Sequence, residues 1–140
     1  MTCPEVAERA KQNIQAAGVA DRCHVIGGSF IEAVPTGADA YIIRHVIHDW
    51  DDENAAKILT NIYRSMGKDG KLLLGEYVMP SDNTPSMARG SDLVMLVISG
   101  GQERTEEEFR VLYERAGFRL TRIVTTKVGI CVIEGTKDIN

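Results

Sequence analysis

Short apolar runs alternate along this chain with longer segments whose apolar residues recur at helical spacing, and this alternation constrains the fold more than any other feature. The strand-like runs are Cys23 to Ile26, Ala38 to Val46 and Lys71 to Val78. Helical spacing is found over 4–17, from Ala55 to Met66, from Met87 to Ile98 and from Phe109 to Ala116. The alternation predicts an α/β fold whose sheet is parallel through most of its width and covered on two faces.

The chain ends in two β-rich runs, 120–126 and 128–134, which are joined so tightly that we expect a hairpin. This hairpin adds an antiparallel strand at or near one edge of the sheet. Two pairs of residues, Thr2 with Glu5 and Thr105 with Glu108, have the spacing of a helix capping box. A length of 140 residues fits one domain with a modest core.

The charge and hydropathy of the chain narrow its possible partners. Sixteen Lys and Arg residues against twenty Asp and Glu residues leave a net charge of -4, which argues against a broad nucleic-acid-binding surface. No apolar stretch reaches the roughly 18 residues that span a bilayer, and no signal peptide is evident. We therefore expect a cytoplasmic protein without a membrane partner. The cysteines, Cys3, Cys23 and Cys131, indicate neither a disulfide framework nor a metal knuckle.

Polar and aromatic residues gather where the predicted strands end, which is where open α/β sheets bind ligands. Residues 29–30 follow the first strand, residues 45–50 follow the second, and Glu76 lies near the end of the third. An imidazole is the natural proton acceptor near neutral pH, so His48 is the candidate general base. A carboxylate on its other ring nitrogen would fix its tautomer, and Glu76 and Glu103 are the candidates for that role.

Two other interpretations of this region stay open. In the first, His48 only begins a helix, Asp51 caps that helix, and Glu76 is a strand-end charge that reaches water. In the second, His45, His48 and Asp49 hold a metal ion. Odd spacing along a strand would point the two histidines to opposite faces, which weakens the second interpretation.

Three apolar side chains near these positions are similarly ambiguous. Trp50, the only tryptophan, either fills the core or forms a wall against a flat ligand. Met87 and Met95 either belong to the core or line an adaptable apolar pocket.

Several strings of the sequence resemble one protein family, and together they cover essentially the whole chain. They are Gly28-Ser29-Phe30, Ala38-Asp39-Ala40-Tyr41, the run RHVIHDWDDE from Arg44 to Glu53, the run GGQERT from Gly100 to Thr105, and Ala116-Gly117-Phe118. The chain thereby resembles the S-adenosylmethionine-dependent small-molecule O-methyltransferases, which include caffeate, acetylserotonin and polyketide-tailoring enzymes. The joint presence of HDWxDE and GGxERT is the specific part of this resemblance.

The resemblance implies a Rossmann-like methyltransferase sheet, S-adenosyl-L-methionine as cofactor, and methyl transfer to a hydroxyl of an aromatic or polyketide-like small molecule. His48 would remove the hydroxyl proton, and Glu76 and Glu103 would flank and orient it. The implied cofactor side consists of Ser29, Phe30, Arg44 and Trp50, and the implied acceptor side of Asp92 and Met95. Ser29 replaces the acid usual in the family, although its hydroxyl can still form hydrogen bonds. This chemistry requires no metal.

The resemblance also implies that residues 1–140 are the C-terminal part of a methyltransferase catalytic domain. The glycine-rich cofactor loop, the first strands and a helical dimerisation domain would precede residue 1, and the whole protein would be a homodimer. The strand from Cys23 to Ile26 would then lose both neighbours, and the strand from Ala38 to Val46 would expose one edge. Alone, the chain is expected to show weak or no catalysis. The alternative is a non-catalytic α/β remnant that binds a partner or pairs with itself through the open edge.

Overall fold

The structure is a computed structural model that describes residues 4–138, so the predicted capping residue Thr2 lies outside the described residues. The elements in these residues are α1 Pro4–Ala16, β1 Ala40–Arg44, a one-turn 3-10 helix Ile47–Asp49, α2 Asp52–Ser65, β2 Lys71–Glu76, β3 Val78–Met79, α3 Met87–Ile98, β4 Arg104–Thr105, α4 Glu106–Arg115, β5 Phe118–Thr125 and β6 Cys131–Lys137. None of the described helices combines the length and the apolar character that a bilayer crossing requires.

The main sheet has the strand order β1-β2-β6-β5. β1 and β2 are parallel, whereas β6 is antiparallel to both of its neighbours, β2 and β5. Three of the four strands therefore point the same way, and β6 alone runs against them. This arrangement confirms the α/β class and the closing hairpin, whose antiparallel strand lies one position in from the edge. The main sheet is mixed, with one parallel and two antiparallel strand pairs.

A second sheet of two short strands joins distant segments close to the end of β2. Val78 of β3 is in register with Arg104 of β4, and the two strands are parallel. β3 begins two residues after Glu76, and β4 begins directly after Glu103. This pairing therefore brings the two glutamates to the same end of the main sheet. The predicted strand from Lys71 to Val78 is real but is divided at Tyr77 between the two sheets.

The run from Cys23 to Ile26 is not a strand, so that prediction is wrong. Cys23 is exposed, and Ile26 is 49% exposed. A strand needs a neighbouring strand to satisfy its N–H and C=O groups, and among the described residues this run is followed only by an isolated bridge at Gly27. Strand propensity without a partner strand leaves the run irregular.

The hydrophobic core lies between one face of the main sheet and helices α2 and α4. The carboxylate of Asp51 accepts the N–H of Asn54 at 2.8 Å, which confirms Asp51 as the N-cap of α2. The core consists mainly of apolar side chains from α2, the sheet and α4: Ala55, Ile58, Leu59, Ile62, Leu72, Leu74, Phe109, Leu112, Phe118 and Ile133. Burial of each large one stabilises the fold by roughly 1.5–3 kcal/mol. This packing fixes β1 and α2, the two elements between which His48 lies.

The face of the main sheet opposite the core is exposed, although the sequence predicted that both faces would be covered. Side chains on this face alternate with the core residues of β1, and Ile42 among them is 73% exposed. Because α2 and α4 pack against each other, both lie on the core face. The predicted cover on two faces is therefore not found within residues 4–138.

Candidate active site

The turn that carries His48 is shaped by a buried carboxylate. β1 ends at Arg44, and His45 then adopts a φ of 51°, the only positive φ of a non-glycine residue among residues 4–138. The Oε1 atom of Glu76 accepts the backbone N–H groups of Val46 at 3.0 Å and Ile47 at 2.9 Å. These bonds hold the start of the 3-10 helix against the end of β2. Glu76 is fully buried, so the interpretation that it reaches water is wrong.

His48 is buried between two carboxylates. Its Nδ1 atom lies 3.0 Å from Oε1 of Glu103 and 3.5 Å from Oε2 of Glu76. A neutral imidazole that donates its Nδ1–H to Glu103 keeps a lone pair on Nε2, which is the form a general base needs. The nearest carboxylate oxygen to Nε2 is Oδ1 of Asp49 at 3.7 Å, beyond hydrogen-bonding distance. Within residues 4–138, Nε2 therefore has no hydrogen-bond partner and is free to accept a proton.

Glu103 is held in place by two residues of α3. The hydroxyl of Ser91 donates to Oε1 of Glu103 at 2.6 Å, and the backbone N–H of Glu103 donates to Oδ1 of Asp92 at 2.9 Å. Asp92, which was expected on the acceptor side, therefore binds the backbone of Glu103, the residue that contacts His48. Met95, one turn further along α3, is half-buried, whereas Met87 at the start of this helix is 75% exposed and belongs to no core.

His48, Glu76 and Glu103 form a cluster in which both carboxylates are buried. Burial raises the pKa of Glu76, against the lowering effect of the Val46 N–H bond and of His48. Among the described residues, Oε2 of Glu76 and Oε2 of Glu103 are buried without a hydrogen-bond partner.

Arg104 is a site residue to which the sequence analysis assigned no role. Its side chain is 1% exposed, and it donates to the carbonyl oxygens of Ile47 at 3.2 Å and Trp50 at 2.9 Å. It also forms an ion pair of 2.8 Å with Asp52. The guanidinium thus holds both ends of the turn that carries His48. The only feature of the sequence that pointed to Arg104 was its position within the GGQERT string. No spacing pattern in a sequence indicates that an arginine will be buried.

The second glycine of this string, Gly101, is required by close backbone contact. A Cβ atom at Gly101 would lie 1.9 Å from the carbonyl oxygen of His48. The same carbonyl accepts the N–H of Gln102 at 2.9 Å. Only glycine lets the 100–105 segment approach the His48 turn so closely.

Of the four residues predicted for the cofactor side, the structure brings Phe30 close to Trp50 and places Arg44 in the same cavity as Phe30, but not Ser29. The rings of Phe30 and Trp50 are 6.3 Å apart and perpendicular. Phe30 and Arg44 line one apolar cavity of about 270 Å³ beside β1, together with Val34, Pro35, Tyr41, Ile42, Ile43, Val46 and Ile62. Ser29 is exposed and does not line this cavity, although its carbonyl accepts the N–H groups that begin the next turn.

The predicted metal trio is not the one that the structure assembles. The ligand atoms of His45, His48 and Glu76 lie within 4.8 Å of one another, and Asp49 is replaced by Glu76 in this set. The histidines would face opposite ways only on a strand, and neither of them lies on one, so their rings can approach to 5.4 Å. The strand has ended before His45, whose left-handed backbone turns its ring back toward the 3-10 helix. Burial and the neighbouring His48 lower the pKa of His45.

Known proteins share both the sequence and the fold of this chain. The family model for O-methyltransferase domains matches residues 1–119. The phenazine O-methyltransferase PhzM of Lysobacter antibioticus is 43% identical over 131 residues, which are 94% of this chain and 38% of that protein. The solved structure of LaPhzM superposes with a TM-score of 0.94 at 41% identity, covering 98% of this chain and 41% of that chain.

Another similar protein was solved with bound small molecules. NcsB1 from neocarzinostatin biosynthesis, in complex with S-adenosyl-L-homocysteine and 1,4-dihydroxy-2-naphthoic acid, gives a TM-score of 0.88 at 30% identity, over 97% of this chain and 40% of that chain. The chain therefore spans about two fifths of the length of the relatives that it matches.

Proposed function

Because this chain belongs to the O-methyltransferase domain family, we propose that it carries the proton-accepting part of an S-adenosyl-L-methionine-dependent O-methyltransferase. The acceptor is a hydroxyl on an aromatic or polyketide-like small molecule. The observation that carries this proposal is the burial of His48 against Glu76 and Glu103, with Nε2 left without a hydrogen-bond partner among the described residues. The similarity to a phenazine O-methyltransferase and to a naphthoic-acid-binding relative supports the acceptor class.

His48 is the general base in this proposal. Nε2 accepts the hydroxyl proton while the hydroxyl oxygen forms its bond to the methyl carbon. A phenol of pKa near 10 is about three units or more above an imidazole, so complete proton removal before attack would cost roughly 4–5 kcal/mol. Proton transfer therefore accompanies the attack. Glu103 keeps the remaining ring proton on Nδ1, and the negative charge of Glu103 and Glu76 stabilises the imidazolium that forms.

The cofactor side fits one part of S-adenosyl-L-methionine. Phe30 offers an apolar ring to adenine, Trp50 stands perpendicular to it, and Arg44 lines the same cavity as Phe30. Ser29 lies outside this cavity and supplies an exposed hydroxyl. When bound, this cofactor supplies an electrophilic methyl group on a sulfonium sulfur, which retains the bonding electron pair as the methyl group leaves. The chain's own contribution is to hold the acceptor oxygen in line with that group and to take its proton.

The acceptor side and the assembly complete the proposal. Met95 of α3 contributes an adaptable apolar surface to the acceptor pocket, and Asp92 contributes by holding the Glu103 segment. The whole protein acts as a homodimer, and the base-assisted reaction needs no metal.

The proposed base is tested by His48→Ala in the whole protein. Methyl transfer to a panel of aromatic hydroxyl compounds should fall by roughly 10²- to 10⁴-fold at saturating acceptor. His24→Ala is the matched control, since His24 is exposed and outside the cluster, and it should keep full turnover. A His48→Ala protein that turns over as fast as the control would refute the assigned role.

A second candidate function rests on the free edge of β1. Among the described strands β1 pairs only with β2, and Ile42 on it is 73% exposed. An open, apolar edge can pair with another strand, which would make the chain a self-association module. Concentration-dependent sedimentation of the chain without binding of S-adenosyl-L-methionine would favour this function over methyl transfer.

A further inference from the structure

We propose that His45, His48 and Glu76 form a zinc-binding site whose occupation switches off the base. The three side chains come from the end of β1, the 3-10 helix and the end of β2. Their ligand atoms lie within 4.8 Å of one another. Two imidazoles and one carboxylate are the three protein ligands of a common class of zinc site.

The distances from the carboxylate oxygen of Glu76 to the two imidazoles are close to those of a zinc site. Bonds of about 2.0–2.1 Å at tetrahedral angles put neighbouring ligand atoms roughly 3.3 Å apart. Oε2 of Glu76 lies 3.5 Å from Nδ1 of His48 and 3.9 Å from Nδ1 of His45. The ligand atoms of the two imidazoles lie within 4.8 Å of each other, so the two rings must approach by up to about 1.5 Å to complete the set. The side chain of His45 is 31% exposed, which leaves a path for the ion and for a water as fourth ligand.

The carboxylate oxygen needed for this site is free and aimed into it. Oε1 of Glu76 accepts two backbone N–H groups, whereas Oε2 is buried and has no hydrogen-bond partner among residues 4–138. A buried carboxylate oxygen without a partner is costly, and a cation between the two histidines would satisfy it. Oε2 of Glu103 is also buried without a partner nearby, so the local charge favours a cation further.

The backbone of His45 points to a function of this residue. A positive φ is unfavourable for a non-glycine residue, and such residues persist where the surrounding structure demands them. Here the left-handed turn places the His45 ring 5.4 Å from the ring of His48. In a regular extension of β1 the two rings would diverge, and the three-ligand set would not form.

Zinc binding and base catalysis exclude each other at His48. The base form carries its proton on Nδ1, donated to Glu103, and its lone pair on Nε2. A metal on Nδ1 needs the lone pair there, so the one proton of the neutral ring must lie on Nε2, where it blocks proton uptake. Occupied sites are therefore inactive. The inhibition rests on the proposed function, whereas the binding itself does not.

The site is tested by titrating the whole protein, freed of metal, with Zn²⁺ in a calorimeter. One saturable site per chain is expected, and His45→Asn should weaken its affinity at least about tenfold. Asparagine tolerates a positive φ, and His45→Gly serves as a second variant, with circular dichroism to verify that both fold. The control is His24→Asn, which alters the exposed histidine and should bind zinc like the unaltered protein. Undiminished zinc affinity in both His45 variants, or its loss in the control, would overturn the site.

The switch is tested separately by methyl transfer. Saturating Zn²⁺ should reduce turnover at least tenfold in the unaltered protein, and excess chelator should restore it. His45→Asn should retain basal turnover and lose most of its sensitivity to zinc. Full turnover with zinc bound would overturn the switch. Since calorimetry needs no turnover, an inactive protein would count against the proposed function and still decide the metal site.

Discussion

The Nδ1 atom of His48 lies 3.0 Å from Oε1 of Glu103, although the two residues are 55 positions apart in the chain. The pairing of β3 with β4 creates this contact, because it carries Glu103 to the end of β2. The same oxygen of Glu103 also accepts the Ser91 hydroxyl at 2.6 Å. The hydrogen bond from Ser91 thus helps to fix the carboxylate of Glu103, and this carboxylate in turn orients the imidazole of His48.

The first prediction concerns the charge of Glu103. In Glu103→Gln the side-chain amide can donate to Nδ1, which stabilises the wrong tautomer, and the negative charge that stabilises the imidazolium is lost. We expect turnover in the whole protein to fall by roughly 10²- to 10⁴-fold, measured as kcat at saturating acceptor. Ser91→Ala removes one hydrogen bond and keeps the charge, so its loss should stay below about tenfold. Equal turnover in the two variants would contradict this account.

The second prediction concerns the buried guanidinium of Arg104. Arg104→Met removes the donors to the carbonyl oxygens of Ile47 and Trp50 and leaves Asp52 without its ion pair. Because the Asp52 side chain is 53% exposed, water screens the ionic part, and most of the loss comes from the carbonyl groups. We expect the free energy of unfolding to fall by about 3 kcal/mol in urea titrations.

A matched substitution on the surface separates this effect from ordinary loss of charge. Arg110 pairs with Glu106 at 2.8 Å on α4, and the two side chains are 40% and 59% exposed. Arg110→Met should change the free energy of unfolding by less than about 0.5 kcal/mol. Similar losses in the two variants would show that the buried contacts of Arg104 contribute little.

The third prediction concerns the close approach at Gly101. Gly101→Ala places a methyl group on the carbonyl of His48, so the 100–105 segment or the His48 turn must move. Destabilisation of about 1–3 kcal/mol is expected, together with a loss of turnover. Gly90, inside α3, has open space around its Cβ position. Gly90→Ala should therefore stabilise the fold by about 0.5–1 kcal/mol, and an equal effect of both substitutions would contradict the assignment.

The sequence predicted the members of the cluster better than its geometry. His48 and Glu76 could be named because they lie near predicted strand ends, and Glu103 because it belongs to the GGQERT string on which the family resemblance rests. Their contact distances depend on the positive φ of His45 and on the buried contacts of Arg104, neither of which follows from spacing. For the same reason the predicted metal trio contained Asp49, which is next to His48 in sequence. In the structure the third residue is Glu76, which comes from the end of β2.

The wrong strand assignment has a different physical origin. Residues 23–26 have the local composition of a strand, but local propensity acts only when a partner strand supplies hydrogen bonds. The hairpin of β5 and β6 was predictable because both partners lie next to each other in sequence. Pairing between distant segments, such as β3 with β4, leaves no comparable local signal.

The last prediction concerns the acid stability of the hairpin. Glu134 of β6 accepts the Thr121 hydroxyl at 3.0 Å and lies 3.1 Å from the guanidinium of Arg122. The Thr121 hydrogen bond, followed by Arg122, lowers the pKa of Glu134. A lowered pKa in the folded state means that the carboxylate stabilises the fold fully above its unfolded pKa of about 4.3. This stabilisation is lost as the pH falls through the folded pKa.

Glu134→Gln should therefore be less stable than the unaltered chain at pH 7, and the difference should shrink as the pH is lowered toward about 3. Urea titrations at a series of pH values measure this difference directly. Glu114→Gln, at an exposed position of α4 without an ion pair among the described residues, controls for the general effect of removing one negative charge. A difference between Glu134→Gln and the unaltered chain that stays constant with pH would show that the Thr121 and Arg122 contacts do not depend on the charge of the carboxylate.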